Sequence, residues 1–518
     1  MARPLSRVIR HDEGRSGTIK LVFRRFVTKH PRFFQRLLEI LPGFVSWNLI
    51  LFPYWGILVI PVAVAYFILI FDIYWFFQGL TIAITSSISH LRIQASKKFD
   101  WRHEIESFPD WKKVAHLVVV PTYKEPIHIL ERTMNSLAAQ DLPLGQIHVV
   151  LAMEAKEDQK QRGEKVKILK KKFGRVFGSF VISVHTLVAG EVVGKAANER
   201  FATFVAEEEV IKKKKLDWAY LTITSCDADH SYHPKHFSCL TYKFLDDPNR
   251  YYTFWQPAVM FYQNIWKLPA ITRVVNSLSS VWNLSQLPRK DRLINAQNYS
   301  LSYRLLREVG YWDADVIPED YHIFFKAFYK TRGKVEVEAI YLPLFADAPE
   351  SDTFWGTIKN QYFQYQRWAW GVSDDPYVIK NFFLTPGVPF LPKLFRVLAL
   401  TRDHFLWPVN WFIITVGISI PVLLNPEFAR TVLGYTLPGL SSIILTVSLS
   451  FLVVMLIIDS KHRPPRPDYV PKWRGALIPF EYILMPVVGL FLGALPGIDA
   501  HTRLMLGKYL EYRVTEKV

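Results

Sequence analysis

Residues 44–88 carry a single charged side chain, Asp72. An apolar run of about 45 residues is twice what one helix needs to cross a ~30 Å hydrocarbon layer, so it predicts two membrane spans with a tight turn between Pro61 and Tyr74. An even number of crossings returns the chain to its starting side. Three more apolar runs come late, near residues 405–424, 437–458 and 476–495. Whatever lies between the two groups is a polar domain held by membrane segments on both sides.

Half of the 518 residues are hydrophobic and only 21% are charged, as expected if much of the chain faces lipid, yet the net charge is +17. Its placement explains it. Arg3, Arg7, Arg10, Lys20, Arg24, Arg25, Lys29, Arg32 and Arg36 precede the first apolar run, and Lys461, Arg463, Arg466, Lys472 and Arg474 precede the last. The positive-inside rule puts both segments in the cytoplasm, and no nucleic-acid motif accompanies the charge. Phe33, Phe34, Leu37 and Leu38 suit one face of an interfacial helix. The first apolar run starts too far in for a cleavable signal peptide. Two cysteines, Cys226 and Cys239, are too few for a disulfide framework and fit a reducing compartment.

The expected organisation is a basic segment (1–43), two spans (44–90), a soluble domain (100–350), an aromatic and basic segment with interfacial helices (351–400), about three membrane segments (401–496) and a tail (497–518). In the soluble domain, strand-like runs at 117–120, 148–153, 180–187 and 219–225 alternate with helix-like runs at 127–140, 157–173 and 195–214. That alternation predicts a mostly parallel α/β sheet whose sites gather at the carboxyl ends of strands. In the charge run 207–215, Glu208 and Glu209 stand four residues before Lys212 and Lys213, the spacing of a solvated helix face. The loop 460–471 belongs in the cytoplasm and the loop 425–435 outside. A full crossing by the last run would strand Arg503, Lys508, Arg513 and Lys517 outside, so either the tail breaks the charge rule or the run re-enters without crossing.

Chemistry concentrates at the predicted strand ends. The run Ala219 to Asp229 is apolar or β-branched until it stops at Asp227 and Asp229. In an extended strand end these two would point the same way and offer hard oxygen ligands to one Mg²⁺ or Mn²⁺; a capping turn is the plainer alternative. Thr122 and Glu125, in a Pro-bounded loop, suit a base or ribose, and Glu154 ends the second strand on the same edge. Lys195, after Gly194 at a helix start, could meet phosphate or be a surface lysine. Glu319 and Asp320 precede an aromatic helix, as caps or as a general base. Gln364, Arg367 and Trp368 combine amide, forked donor and flat ring, which suit phosphate and sugar or an interfacial aromatic belt.

The ordered set P-T-Y-K-E (121–125), D-A-D (227–229), E-D (319–320) and Q-Y-Q-R-W (364–368), between membrane spans, resembles the family 2 membrane glycosyltransferases, particularly the cellulose synthase and polysaccharide synthase branch. The resemblance implies a GT-A-like (Rossmann-like) cytoplasmic domain inserted between N- and C-terminal transmembrane helices in the inner cell membrane. It implies an inverting, metal-dependent hexosyltransferase that moves sugar from a nucleotide-sugar donor to a growing polysaccharide or glycan. Residue by residue, Thr122 and Glu125 would contact the nucleoside and Asp227 and Asp229 would hold the nucleotide diphosphate through Mg²⁺ or Mn²⁺; Glu154 at the strand edge and Lys195 at the helix start complete the nucleotide-sugar-binding set. Asp320 would be the catalytic base, and Gln364, Arg367 and Trp368 would line the diphosphate and acceptor region. The family's second strand usually ends in an Asp pair, which here is Met153-Glu154. Partners would be the donor, a glycan or lipid-linked acceptor, membrane lipid and export or accessory subunits, with no nucleic acid. The alternatives are single-sugar transfer to a lipid-linked acceptor and a non-catalytic nucleotide-sugar-binding protein. A zinc site from Cys226, His230, His233, His236 and Cys239 is the competing constellation, by spacing alone.

Overall fold

The computed structural model describes residues 27–511. Arg3, Arg7, Arg10, Lys20, Arg24, Arg25, Arg513 and Lys517 lie outside them. Two long helices, Pro31–Val59 and Pro61–Lys98, begin before residue 44 and end beyond residue 88. They meet at Ile60, next to the stretch expected to turn: Pro61 cannot donate a backbone N–H and restricts the residue before it. Pro31 opens the first helix directly, and Phe33 and Leu37 are exposed while Phe34 and Leu38 are buried, so these four do not share one face.

Among the described residues, four helical stretches are long and apolar enough to cross a membrane: these two, Val432–His462 and Lys472–Met505. The expected span at 405–424 is absent from that set. It is divided between a helix Phe390–Phe412, which also absorbs the expected interfacial helix, a π turn Ile413–Gly417 and a short helix Ile420–Leu424 begun with Pro421. The last stretch qualifies by length and composition, yet both of its ends are tied to the same side. Near its start Glu481 pairs with Arg273 of the sheet domain, and near its end Asp499 accepts from Gln366. Arg36 Nη1, at the start of the first helix, donates to Leu504 O at 2.8 Å. Both ends of the stretch thus contact elements that adjoin the sheet domain.

The domain between is one mixed sheet: β1 (Ala115–Thr122), β2 (Ile147–Glu154), β3 (Ser179–His185), β4 (Leu221–Ser225), β5 (Ser231–Tyr232), β6 (Thr253–Met260), β7 (Tyr299–Ser302) and β8 (Glu336–Phe345). The spatial order is β3-β2-β1-β4-β7-β6-β8-β5. β1 to β4 are the four strands that alternation predicts, and their mutual pairings are parallel. β7 then runs antiparallel between β4 and β6, and β5 antiparallel to β8. Helices separate β5 to β8 as well, at His236–Asp246, Ala270–Gln286 and Glu319–Lys330, but β5 and β7 have only two and four residues, and β6 and β8 are interrupted by Pro257 and Pro343. One hydrophobic core underlies the domain, from Val118 and Val149 in the parallel part to Trp255 and Phe324. Glu208 pairs with Lys212 and Glu209 with Lys213 on a solvated face, while Glu207 turns in to accept from Tyr311 Oη at 2.5 Å.

Sheet domain and membrane helices are joined by buried ion pairs. Arg273, on the helix Ala270–Gln286, grips Glu481 through Nε and Nη2 at 2.7 and 2.8 Å. Asp459 accepts from Tyr262 Oη and from Arg463 Nε, both at 2.7 Å. Arg273→Ala leaves Glu481 without its forked partner at a low-dielectric junction, which costs about 3 kcal/mol. The expected result is a clearly earlier thermal transition in detergent, whereas Arg289→Ala, at a pair whose Asp291 is 70% exposed, leaves it unchanged.

Candidate functional site

The parallel register sets β1, β2 and β4 ending on one edge, with Thr122 opposite Met153 and Val119 opposite Ser225. Lys124 adopts a left-handed conformation (φ 68°), which folds the loop after β1 back on itself. Glu125 Oε2 then accepts from Thr122 Oγ1 at 2.6 Å and from Tyr123 N at 2.5 Å. Glu154 stands buried beside them. Burial, and next the Glu125 carboxylate, hold it above its ordinary pKa.

Asp227 and Asp229 are brought together by a turn and not by strand alternation. β4 stops at Ser225, and His230 N closes on Asp227 O at 3.2 Å. Thr133 Oγ1 holds the Ala228 carbonyl from below, and Asp347 N donates to Asp229 Oδ2 at 3.0 Å. The same turn delivers His230. Asp227, Asp229 and His230 present ligand atoms within 4.8 Å of one another. His230 Nδ1 lies 3.2 Å from the Asn298 amide, so Nε2 is the nitrogen that faces Asp227, at 3.8 Å. Two carboxylates and an imidazole fixed by outer partners fit a divalent cation such as Mg²⁺ or Mn²⁺. The zinc constellation does not assemble: Cys226 and Cys239 are separately buried, and His230 belongs to the carboxylate group instead.

Lys195 opens the helix Lys195–Ala206 and is buried, not a surface lysine. Its Nζ lies 2.8 Å from Asp227 Oδ1, 3.3 Å from Glu319 and 3.8 Å from Glu199, and donates to Gln297 O at 2.7 Å. Burial opposes its charge, but Asp227, Glu199 and Glu319 together raise its pKa well above the ordinary value. Burial likewise opposes ionisation of Asp227, and the Lys195 ammonium outweighs it, holding that carboxyl below its usual range. Glu199 and Glu319 are pushed up by burial.

Asp320 lies in the first turn of the helix Glu319–Lys330 and accepts from Gln297 N at 2.8 Å and Tyr321 N at 3.0 Å. Burial raises its pKa in spite of those N–H groups. Gln297 thus bonds both Asp320 and Lys195, through a residue in the left-handed region (φ 61°). The sequence analysis missed it; the polar run Asn295 to Asn298 before β7 was the available signal. Two residues on, His322 sits between Asp374 at 2.6 Å and Asp313 at 2.9 Å. Burial opposes its charge, and the two carboxylates raise its pKa to about 10, pinning this helix to the segment after the aromatic motif.

Thr122, Glu125, Glu154, Lys195, Asp227, Asp229, Asp320, Arg367 and Trp368 all line one cavity of about 1200 Å³. Gln364 is not on that lining; it is buried and accepts from Gln361 Nε2 at 3.2 Å. Trp368 leans on Phe261, their rings 5.2 Å apart. Arg292, Asp403 and His404 also reach the cavity, far from any motif in the sequence.

Residues 222–458 match the family described as glycosyl transferase family group 2. The resemblance to family 2 glycosyltransferases holds, and nothing in the match distinguishes the cellulose synthase branch. The sheet domain is a GT-A-like glycosyltransferase fold flanked by candidate membrane helices. No curated protein matches the chain. Among solved structures, a mannosyltransferase from Pyrobaculum calidifontis in complex with GDP-Man and Mn²⁺ is similar at 12% identity and TM-score 0.39, over 74% of this chain and 99% of that one. TarS (residues 1–349) of S. aureus with UDP-GlcNAc is similar at 14% identity and TM-score 0.35, over 77% and 93%. At such TM-scores the family match and the strand topology remain the grounds for the fold.

Two outcomes follow from this geometry. With Asp320 as a general base, which must be ionised to accept a proton, activity is expected to fall as pH drops through its raised pKa, so the acidic limb of kcat/KM should lie above the ordinary carboxylate value of about 3.9. In Gly371→Ala the new Cβ would lie 1.5 Å from Tyr321 Oη and force that ring, next to Asp320, to move. Steady-state kinetics should show kcat reduced by about tenfold or more with donor KM nearly kept.

Proposed function

We propose that this protein is an inverting, metal-dependent membrane glycosyltransferase that moves a sugar from a nucleotide-sugar donor to an acceptor hydroxyl. The observation that carries the reading is the convergence of Asp227, Asp229, Lys195 and Asp320 on one cavity at the carboxyl edge of the parallel strands, with His230 behind the two aspartates and within 4.8 Å of them. Thr122, Glu125 and Glu154 hold the nucleoside, and Lys195 swings toward the diphosphate. Mg²⁺ or Mn²⁺, when bound by Asp227, Asp229 and His230, neutralises charge on the leaving diphosphate. Arg367 and Trp368 offer a forked donor and a ring face to the phosphate and the sugar. Asp320 takes the acceptor's proton as its oxygen attacks the anomeric carbon from the face opposite the diphosphate, and direct displacement inverts that carbon.

The domain works on the cytoplasmic face of the cell membrane. Lys97, Lys98, Lys461, Arg463, Arg466, Lys472 and Arg474 all stand at the ends of helices that adjoin the sheet domain, where the positive-inside rule puts them. A non-catalytic sugar-nucleotide binder would have no use for a buried carboxylate held open by two backbone N–H groups.

The test is diphosphate release by the purified protein in lipid across a panel of nucleotide sugars. One donor should give release that depends on Mn²⁺ or Mg²⁺. Asp320→Asn should lower kcat by about 10²- to 10⁴-fold with donor binding retained, and Asp227→Ala or Asp229→Ala should abolish the metal dependence. Equal release by wild type and Asp320→Asn would remove the assignment of the base.

A further inference from the structure

The cavity does not end at the sheet domain. It continues between the membrane helices, past Trp75 and Ile82 on the second helix, Trp411 and Ile414 around the end of Phe390–Phe412, and Leu445 and Leu449 on Val432–His462. Polar side chains in this half are largely committed to their own surroundings. Thr415 donates to the Trp411 carbonyl, Ser448 to Ile444 O at 2.8 Å, Gln78 to Tyr74 Oη at 2.6 Å and Trp407 to Gly493 O at 3.2 Å. A sugar chain threaded here would give up hydrogen bonds to water for an apolar wall, whereas an aliphatic chain would lose nothing.

One wall of the chamber is a helix with a largely exposed face. Ser442, Thr446 and Leu449 line it and are nevertheless exposed. Only 11% of the most apolar stretch of their helix is buried. A lipid could enter there from the bilayer without crossing the polar site.

The reacting end limits the head group. Asp227, Glu199 and Glu319 surround the ammonium of Lys195 and Asp320 lines the same cavity, so an ionised phosphate head would have to compete with the donor's diphosphate for the few cations there. Such a head has no proton for Asp320 to take. A neutral hydroxyl has one.

We propose that the acceptor is a membrane lipid whose head group presents a neutral hydroxyl, with its aliphatic chain in the membrane half of the cavity; this rests on the glycosyltransferase reading above. The lipid oxygen bonds to the anomeric carbon as that carbon's bond to the diphosphate oxygen breaks. The electron pair leaves with the nucleoside diphosphate, and the hydroxyl proton passes to the Asp320 carboxylate. The product is a lipid carrying the transferred sugar.

The experiment places the full chain in phosphatidylcholine nanodiscs containing diacylglycerol, ceramide and sterol, three lipid alcohols, with labelled nucleotide sugars and Mn²⁺. Label from one donor should partition into organic solvent as a lipid bearing one or a few sugars. Thr446→Trp and Ser442→Trp, which fill the chamber, should each cut that product by at least about tenfold while donor KM is kept, and Val447→Trp, off the lining, should not. Monodisperse elution of each variant separates a blocked chamber from a misfolded one. Label in a long water-soluble polymer, label released only as free sugar, or lipid product untouched by both chamber variants would overturn the lipid acceptor and leave the transferase standing. Absence of diphosphate release with every donor would instead sink both.

Discussion

One buried ammonium organises the site. Lys195 sits among Asp227, Glu199 and Glu319, and its own helix, the D-A-D turn, the loop before β7 and the helix that carries Asp320 all converge on it. Burying a lone charge is costly, and burying several carboxylates around one cation is worse unless more positive charge arrives. The cluster therefore holds more negative charge than it can comfortably neutralise, as the raised pKa values of Glu199, Glu319 and Asp320 register. A site built this way favours a divalent cation before it favours an anionic donor. On the reading proposed above, that order of charge neutralisation suits a metal-assisted diphosphate leaving group.

The same electrostatic logic joins domain to membrane. Arg273 with Glu481, and Arg463 with Asp459 and Tyr262, place fully hydrogen-bonded ion pairs where side chains leave water. Such pairs add less net stability than their Coulomb energy implies, but they penalise any sliding of one part on the other. The fixed docking keeps the catalytic edge over the opening between the helices. A cavity continuous from Asp320 to Leu449 exists only because that alignment is held.

Much of this was legible in the chain. The apolar runs announced membrane helices, since hydrocarbon leaves few alternatives to a helix. The alternation up to Ser225 announced β1 to β4 and the edge on which Thr122, Glu154 and Asp227 gather. β6, β7 and β8 were not read, because β7 is only four residues long and Pro257 and Pro343 sit inside β6 and β8, where a proline argues against a strand. The turn that swings His230 in beside Asp227 and Asp229, and the left-handed Gln297, are set by pairing of β5 with β8 and by long-range hydrogen bonds.

The sequence by itself determined most of the long apolar helices, the parallel strands β1 to β4 and which carboxylates gather at their carboxyl edge, because these follow from local apolarity, periodicity and the placement of charge at strand ends. The tertiary structure alone decided that Gln364 turns away from the cavity while Arg292 and His404 reach it, that both ends of the last apolar run pack near the sheet domain, and that the cavity continues between the helices. Those outcomes depend on how whole elements dock, and docking is settled by contacts between residues hundreds of positions apart, such as Arg36 with Leu504 and Arg273 with Glu481. No local pattern encodes them.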